Sequence, residues 1–191
     1  MKRRIVLALV VLVSLGGALA AQEESRWNAT LTAGGSMSGG DGMGGIGAEV
    51  MREFGERLEI GVRAYAQAEV SEQYEDAQGR EYHMSSGYGT LVVKPKLQLG
   101  ERWEIGLPQE SGNGMVQYRY GGKYREELRW TKEIIDQVNH SVYSAGIEPK
   151  FFLGDRSALT LAAGYLATGP IRTDLAEDGE LNGFWGRIGY S

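Results

Sequence analysis

Apolar and polar residues alternate along most of this chain, and the clearest run lies at residues 58–70. Even positions there are Leu58, Ile60, Val62, Ala64, Ala66, Ala68 and Val70. Odd positions are Glu59, Gly61, Arg63, Tyr65, Gln67 and Glu69, continuing Arg57. A period of two puts one set on each face of a β-strand, whereas a helix would scatter the apolar set around its axis. Seven further segments share the pattern: residues 26–34, 44–54, 86–99, one from 102, one ending at 153, then 157–168 and 182–190. The pattern predicts eight strands and an all-β fold.

One turn recurs between these strands. It reads Gly55-Glu56-Arg57, then Gly100-Glu101-Arg102, then Gly154-Asp155-Arg156, each time after an apolar residue. As a three-residue loop, each copy sets apolar against apolar: Val50 faces Val62, Leu97 faces Ile105, and Phe151 faces Leu159. A slip of one residue would set every apolar row against a polar one. The remaining connections, about 35–42, 71–83, 108–139 and 169–181, read as longer and more polar.

Composition narrows the class. The 191 residues suit one domain. With no Cys, disulfides are excluded. The 29 Gly lie well above the usual ~7%, and many fall inside alternating segments, where a packed soluble sheet usually avoids them. Residues 1–21 read as a secretory signal peptide: basic Lys2, Arg3 and Arg4, an apolar run to Leu19, and small residues for cleavage after Ala20 or Ala21. An uncleaved anchor is the alternative. Losing those three cations takes the net charge from −5 to −8, unsuited to nucleic acid.

Three short turns at one end and longer loops at the other are the signature of a transmembrane β-barrel. Residues 22–191 resemble the small eight-stranded outer-membrane barrels of Gram-negative bacteria, the OmpA-barrel and OmpX-like group. The resemblance implies an eight-stranded antiparallel up-and-down barrel with short periplasmic turns and extracellular loops. It also implies that barrel-assembly machinery reads the last strand. Phe184, Gly186, Ile188 and Tyr190 supply the expected alternation, although Ser191 follows the final aromatic.

The polar face decides which side is in. It carries Glu49, Glu59, Arg63, Glu69, Lys94, Lys96, Glu104, Glu148, Lys150 and Arg187, of both signs, and the turn register sets Glu49 against Arg63. Charges inside an eight-stranded barrel must pair. The alanines at 64, 66 and 68 would fill a soluble barrel's interior poorly. These features predict apolar-out, with a polar network in the lumen. Trp27, Trp103, Tyr143, Tyr165 and Tyr190 then face lipid, several as interfacial girdles.

Two features resist this scheme. Pro95 and Pro149 each lie five residues before a turn Gly, which suggests a shared bulge. Residues 124–139 suit a short helix through Leu128, Ile134, Ile135 and Val138. Alternatively, 115–120 and 123–130 flank Gly121-Gly122 as a hairpin, which the Tyr-rich first arm favours.

Candidate chemistry is sparse. His140 and Ser141, with Ser144 and Glu148 beyond, invite comparison with outer-membrane lipid A deacylases. Those place Ser two residues after His on one strand face, where this chain has Val142. The acids Glu72, Glu75, Asp76, Asp174, Glu177, Asp178 and Glu180 show no Ca²⁺-loop spacing. Gly-rich residues 34–47 lack the Walker Lys. No cofactor, metal or catalytic set is expected. The sequence points to a non-enzymatic surface protein contacting outer-membrane lipid, lipopolysaccharide and an extracellular ligand. A small-solute channel and a lipid A-modifying hydrolase are the alternatives.

Overall fold

The computed structural model describes residues 27–38, 41–69, 74–75, 79, 81–120, 134–154, 157–171 and 181–191. The expected signal peptide at residues 1–21, the turn residues Asp155 and Arg156, and the acids Glu72, Asp76, Asp174, Glu177, Asp178 and Glu180 lie outside these residues; of Glu75 only the backbone is described. Eight antiparallel strands form the fold: β1 (Trp27–Ser38), β2 (Asp41–Glu53), β3 (Leu58–Glu69), β4 (Glu81–Gln98), β5 (Trp103–Gly106 continuing as Gln109–Tyr120), β6 (Ile134–Gly154), β7 (Ser157–Thr168) and β8 (Gly183–Tyr190). Each pairs with the next in sequence, and β8 pairs with β1 to close the ring. Ser191 extends the closing strand through mutual backbone bonds with Ala158 of 2.9 and 3.1 Å.

The hairpin registers follow from the repeated turn. Val50 pairs with Val62, Leu97 with Ile105, and Phe151 with Leu159. Phe54 N donates to Leu58 O and Leu99 N to Trp103 O, both at 2.8 Å, closing the first two turns. Gly55 at φ 67° and Gly100 at φ 112° occupy the left-handed region, which is why each turn opens on glycine. The third differs at its tip: the ladder shifts one residue between Phe152 and Gly154, and Gly154 pairs with Ser157.

Orientation follows from burial. Leu31, Ile46 and Phe184 are 72%, 70% and 73% exposed, while Arg63 and Glu49 are 3% and 4% exposed. The apolar face is therefore the outer wall and the charged face the lumen, the arrangement of a transmembrane barrel. Outward aromatics mark two levels. Trp103 meets Phe151 at 4.8 Å near the short turns, and Tyr165 meets Phe184 edge-on at 5.3 Å near the long connections.

Several expected boundaries move. The connection placed at 35–42 shrinks to residues 39–40, because β1 runs to Ser38 and pairs it with Asp41. Gly35, read as loop, serves the wall instead: it pairs with Gly44, and an added Cβ there would come within 2.6 Å of Met43 O. The connection at 71–83 is interrupted by Tyr74–Glu75, which pair back onto Tyr82 and Glu81. The 108–139 loop is shorter too, since β5 continues to Tyr120 and β6 starts at Ile134. Met115, Gln117 and Tyr118 pair with Asn139, Gln137 and Asp136, so the 115–120 arm runs along β6; the expected second arm at 123–130 and Leu128 lie outside the described residues. Ile134, Ile135 and Val138 are strand residues and not helical.

Pro95 and Pro149 form no bulge. Pro95 keeps register with Leu58, and the β6–β7 register is the same on both sides of Pro149. Each side chain faces outward, and each ring removes one ladder donor without displacing the strand.

Backbones approach closely at Gly112, where an added Cβ would lie 2.0 Å from Gly89 O and 2.7 Å from the Thr90 Cα. Gly112→Ala is expected to lower stability by about 1–3 kcal/mol, the usual range for overpacking. Gly42→Ala, which meets open space, serves as the control in urea unfolding from lipid vesicles.

Candidate functional site

The lumen concentrates the chain's buried charge. Among the described residues, five carboxylates (Glu49, Glu59, Glu104, Glu110, Glu148) and five cations (Arg63, Lys94, Lys96, Lys150, Arg187) are buried there, so the charges balance. Strand alternation aims them all inward, and the β2–β3 register brings Glu49 opposite Arg63.

Arg63 is the hub. Its Nε donates to Glu49 Oε2 at 2.9 Å, and its two terminal nitrogens also reach Glu49, Glu110 and Glu148, the last at 3.2 Å. Lys94 Nζ lies 3.1, 3.3 and 2.5 Å from Glu49, Glu59 and Glu148. Toward the short turns, Lys96 Nζ sits 3.1, 3.0 and 3.2 Å from Glu53, Glu59 and Glu104. Lys150 places its ammonium 5.6 Å from the Phe152 ring. Toward the long connections, Arg187 reaches Glu110 at 3.3 Å, donates to Tyr88 Oη at 2.5 Å, and stacks 4.1 Å from the Trp185 ring. The contacts of Arg63 with Glu110 and Glu148, of Lys94 with Glu49 and Glu148, and of Arg187 with Glu110 join strands across the lumen that the ladders do not join directly.

Nine of the ten lumen residues named from sequence are buried. Glu69 departs: it is half-buried at the long-connection end and accepts from the Met84 backbone N at 3.2 Å. Sequence reading misses Glu110, which accepts from Arg63, Thr90 and Arg187. Continuing the parity of Glu104 through Gly106 and Pro108 places it inside, but Pro108 reads as the start of a loop.

Above Arg187 the interior turns apolar. Tyr65, Tyr88, Val142, Leu166 and Trp185 form one cluster. Met43, Tyr82, Met84, Val116, Tyr118, Ile171 and Leu181 form another toward the long connections. The alternation predicts a polar lumen throughout. Instead, ion pairs fill the lower part and these clusters the upper part.

The hydrolase constellation is not assembled. His140 points inward, packed where a Cβ on Gly114 would lie 2.7 Å from its Nε2. Ser141 lies on the opposite face. Ser144 shares the inner face, but its hydroxyl accepts from Trp185 Nε1 at 2.9 Å, and it stands four positions along the strand from His140, roughly 13 Å away. Glu148, the expected orienting carboxylate, is held by Lys94 and Arg63. Among the described residues, no group of three or more His, Cys, Asp or Glu could hold a metal.

No family model and no curated protein sequence matches the chain. Solved structures do. The crystal structure of Ail, the attachment invasion locus protein of Yersinia pestis, matches with a TM-score of 0.53 at 10% identity, covering 88% of this chain and 97% of that one. Ail in complex with the heparin analogue sucrose octasulfate matches at 0.51, with the same identity and coverage. At such identity the likeness is one of fold, an eight-stranded transmembrane barrel.

Proposed function

We propose that this chain is an exported, non-enzymatic outer-membrane protein that acts at the cell surface through the connections at its long-loop end. The observation that carries this reading is the filled interior. Balanced ion pairs and two apolar clusters occupy the lumen, so the barrel serves as a rigid support and recognition falls to the loops. The leader at residues 1–21 would direct export, and the alternating last strand would engage the assembly machinery. The apolar wall supports contact with outer-membrane lipid and lipopolysaccharide. The fold shared with an attachment and invasion protein favours a partner on another surface.

The test is adherence of a laboratory Gram-negative strain to immobilised host-surface proteins and glycans, with and without the chain. Adherence is expected to rise. It should fall at least tenfold when residues 71–80, 121–133 and 172–180 are replaced by Gly-Ser linkers in a barrel that still folds. A sulfated glycan, the ligand class seen with one Ail structure, belongs in the panel as competitor. No gain in adherence would overturn the reading. Discrete steps of conductance in planar bilayers would favour the small-solute channel instead.

A further inference from the structure

The outer wall carries one seam that does not suit lipid. Along β5 the outward positions are apolar at Trp103, Ile105 and Leu107, then polar at Gln109, Ser111 and Asn113. These three stand about 6.7 Å apart in a line along the strand. Among the described residues, none of the three has a side-chain hydrogen bond to another.

Their depth can be read from the ladder. A row of partners runs from the upper aromatics Phe184 and Tyr165 through Ala145 to Gln109. It continues through Val93 and Ile60 to Arg52 and Trp27 at the lower rim. Strands in a barrel tilt together, so the row descends steadily from one aromatic level to the other. Gln109 lies halfway, at the middle of the apolar belt. Ser111 and Asn113 climb from there toward the upper rim.

An amide at that depth needs a partner, because neither water nor a lipid headgroup reaches it and an acyl chain offers no hydrogen bond. We infer that a second copy of this chain docks on the seam, strand β5 against strand β5 about a two-fold axis. Gln, Ser and Asn each carry both donor and acceptor, so the line is complementary to itself. Small outward neighbours, Ala145, Gly87 and Gly89, let the two walls approach closely. A groove of about 490 Å³ opens beside the seam between Leu107, Tyr143 and Tyr165, with Ala145 and Ala167 in it, and receives the partner's bulkier side chains. The ring of exposed Leu91, Val93, Leu107 and Tyr143 seals the polar line from lipid.

The chain's lack of cysteine makes the test direct. Ser111→Cys and, separately, Asn113→Cys introduce one thiol on the seam, and Ile46→Cys puts one on a different stretch of wall. Each full chain is folded into phospholipid bilayers, oxidised, and scored for covalent dimer. Seam thiols are expected to cross-link at least ten times faster than the thiol of the Ile46→Cys chain. Adding Gln109→Leu to Ser111→Cys should slow cross-linking about tenfold while the barrel stays folded. Equal rates at the two walls would overturn the inference. So would a seam thiol captured in native membranes by a different protein, or a monomer at every protein-to-lipid ratio with lipid retained in the groove.

Discussion

Arg63→Met is expected to destabilise the barrel by about 3–5 kcal/mol, the range for removing one member of a buried ion-pair cluster. The loss comes less from the missing attraction than from what remains. Glu49, Glu110 and Glu148 would keep their charge in the lumen with their shared cation gone. Lys94 still faces Glu49 and Glu148, and Arg187 still faces Glu110, so the penalty is partly contained. Urea unfolding from lipid vesicles, followed by tryptophan fluorescence, measures it. Arg63→Met with Glu110→Gln should lose less than the two single changes added together, because neutralising Glu110 removes one stranded charge. A loss below about 1 kcal/mol would mean that water enters the lumen and screens the charges there, which would also revive the channel reading.

Which parts of this are legible in the sequence follows from where water and lipid lie. Within the belt, alternation is enforced on both faces, so residues 58–70 declare a strand, and three copies of one turn fix three registers. Near the long-loop end that contrast fades. At Met43, Met84, Val116 and Tyr118 the apolar side chains face inward, as in a soluble protein. A reader following apolar-out parity loses the strand there, and so 35–42 and 108–139 look like loop. Glycine misleads in the same region, since Gly35 stands in the ladders opposite Gly44 and Gly186 rather than in a loop. Glu110 is lost with β5, because Pro108 resembles a strand end. Its ring instead keeps the register, with Gly146 N still donating to Pro108 O at 3.1 Å. The Glu49–Arg63 pair is legible because it needs only a hairpin register. The contacts that Arg63 makes with Glu110 and Glu148 cross the lumen, and no local spacing records them.

Leu161→Arg is expected to cost about 2–4 kcal/mol in a bilayer, as for a cation on the lipid face near the midplane. Leu161 is 53% exposed on the outer wall. It sits one outward position above Leu159, the ladder partner of lower-rim Tyr190, and two below upper-rim Tyr165. The native chain shows where an outward cation is tolerated. Arg52 lies at the lower rim with its guanidinium 5.8 Å from the Trp27 ring and 5.2 Å from the Phe54 ring, where the charge reaches water past the aromatics. Leu99→Arg, 52% exposed on the outer wall beside the second turn, should therefore cost at most about 1 kcal/mol, and the difference between the two substitutions gauges depth. The comparison also tests whether the outward apolar wall faces lipid or water. If it faced water, Leu161 would be an exposed surface leucine, and arginine there would change stability by no more than about 0.5 kcal/mol. A small effect in both places, with wild-type chain folded and monomeric in detergent-free buffer, would refute the membrane-spanning reading.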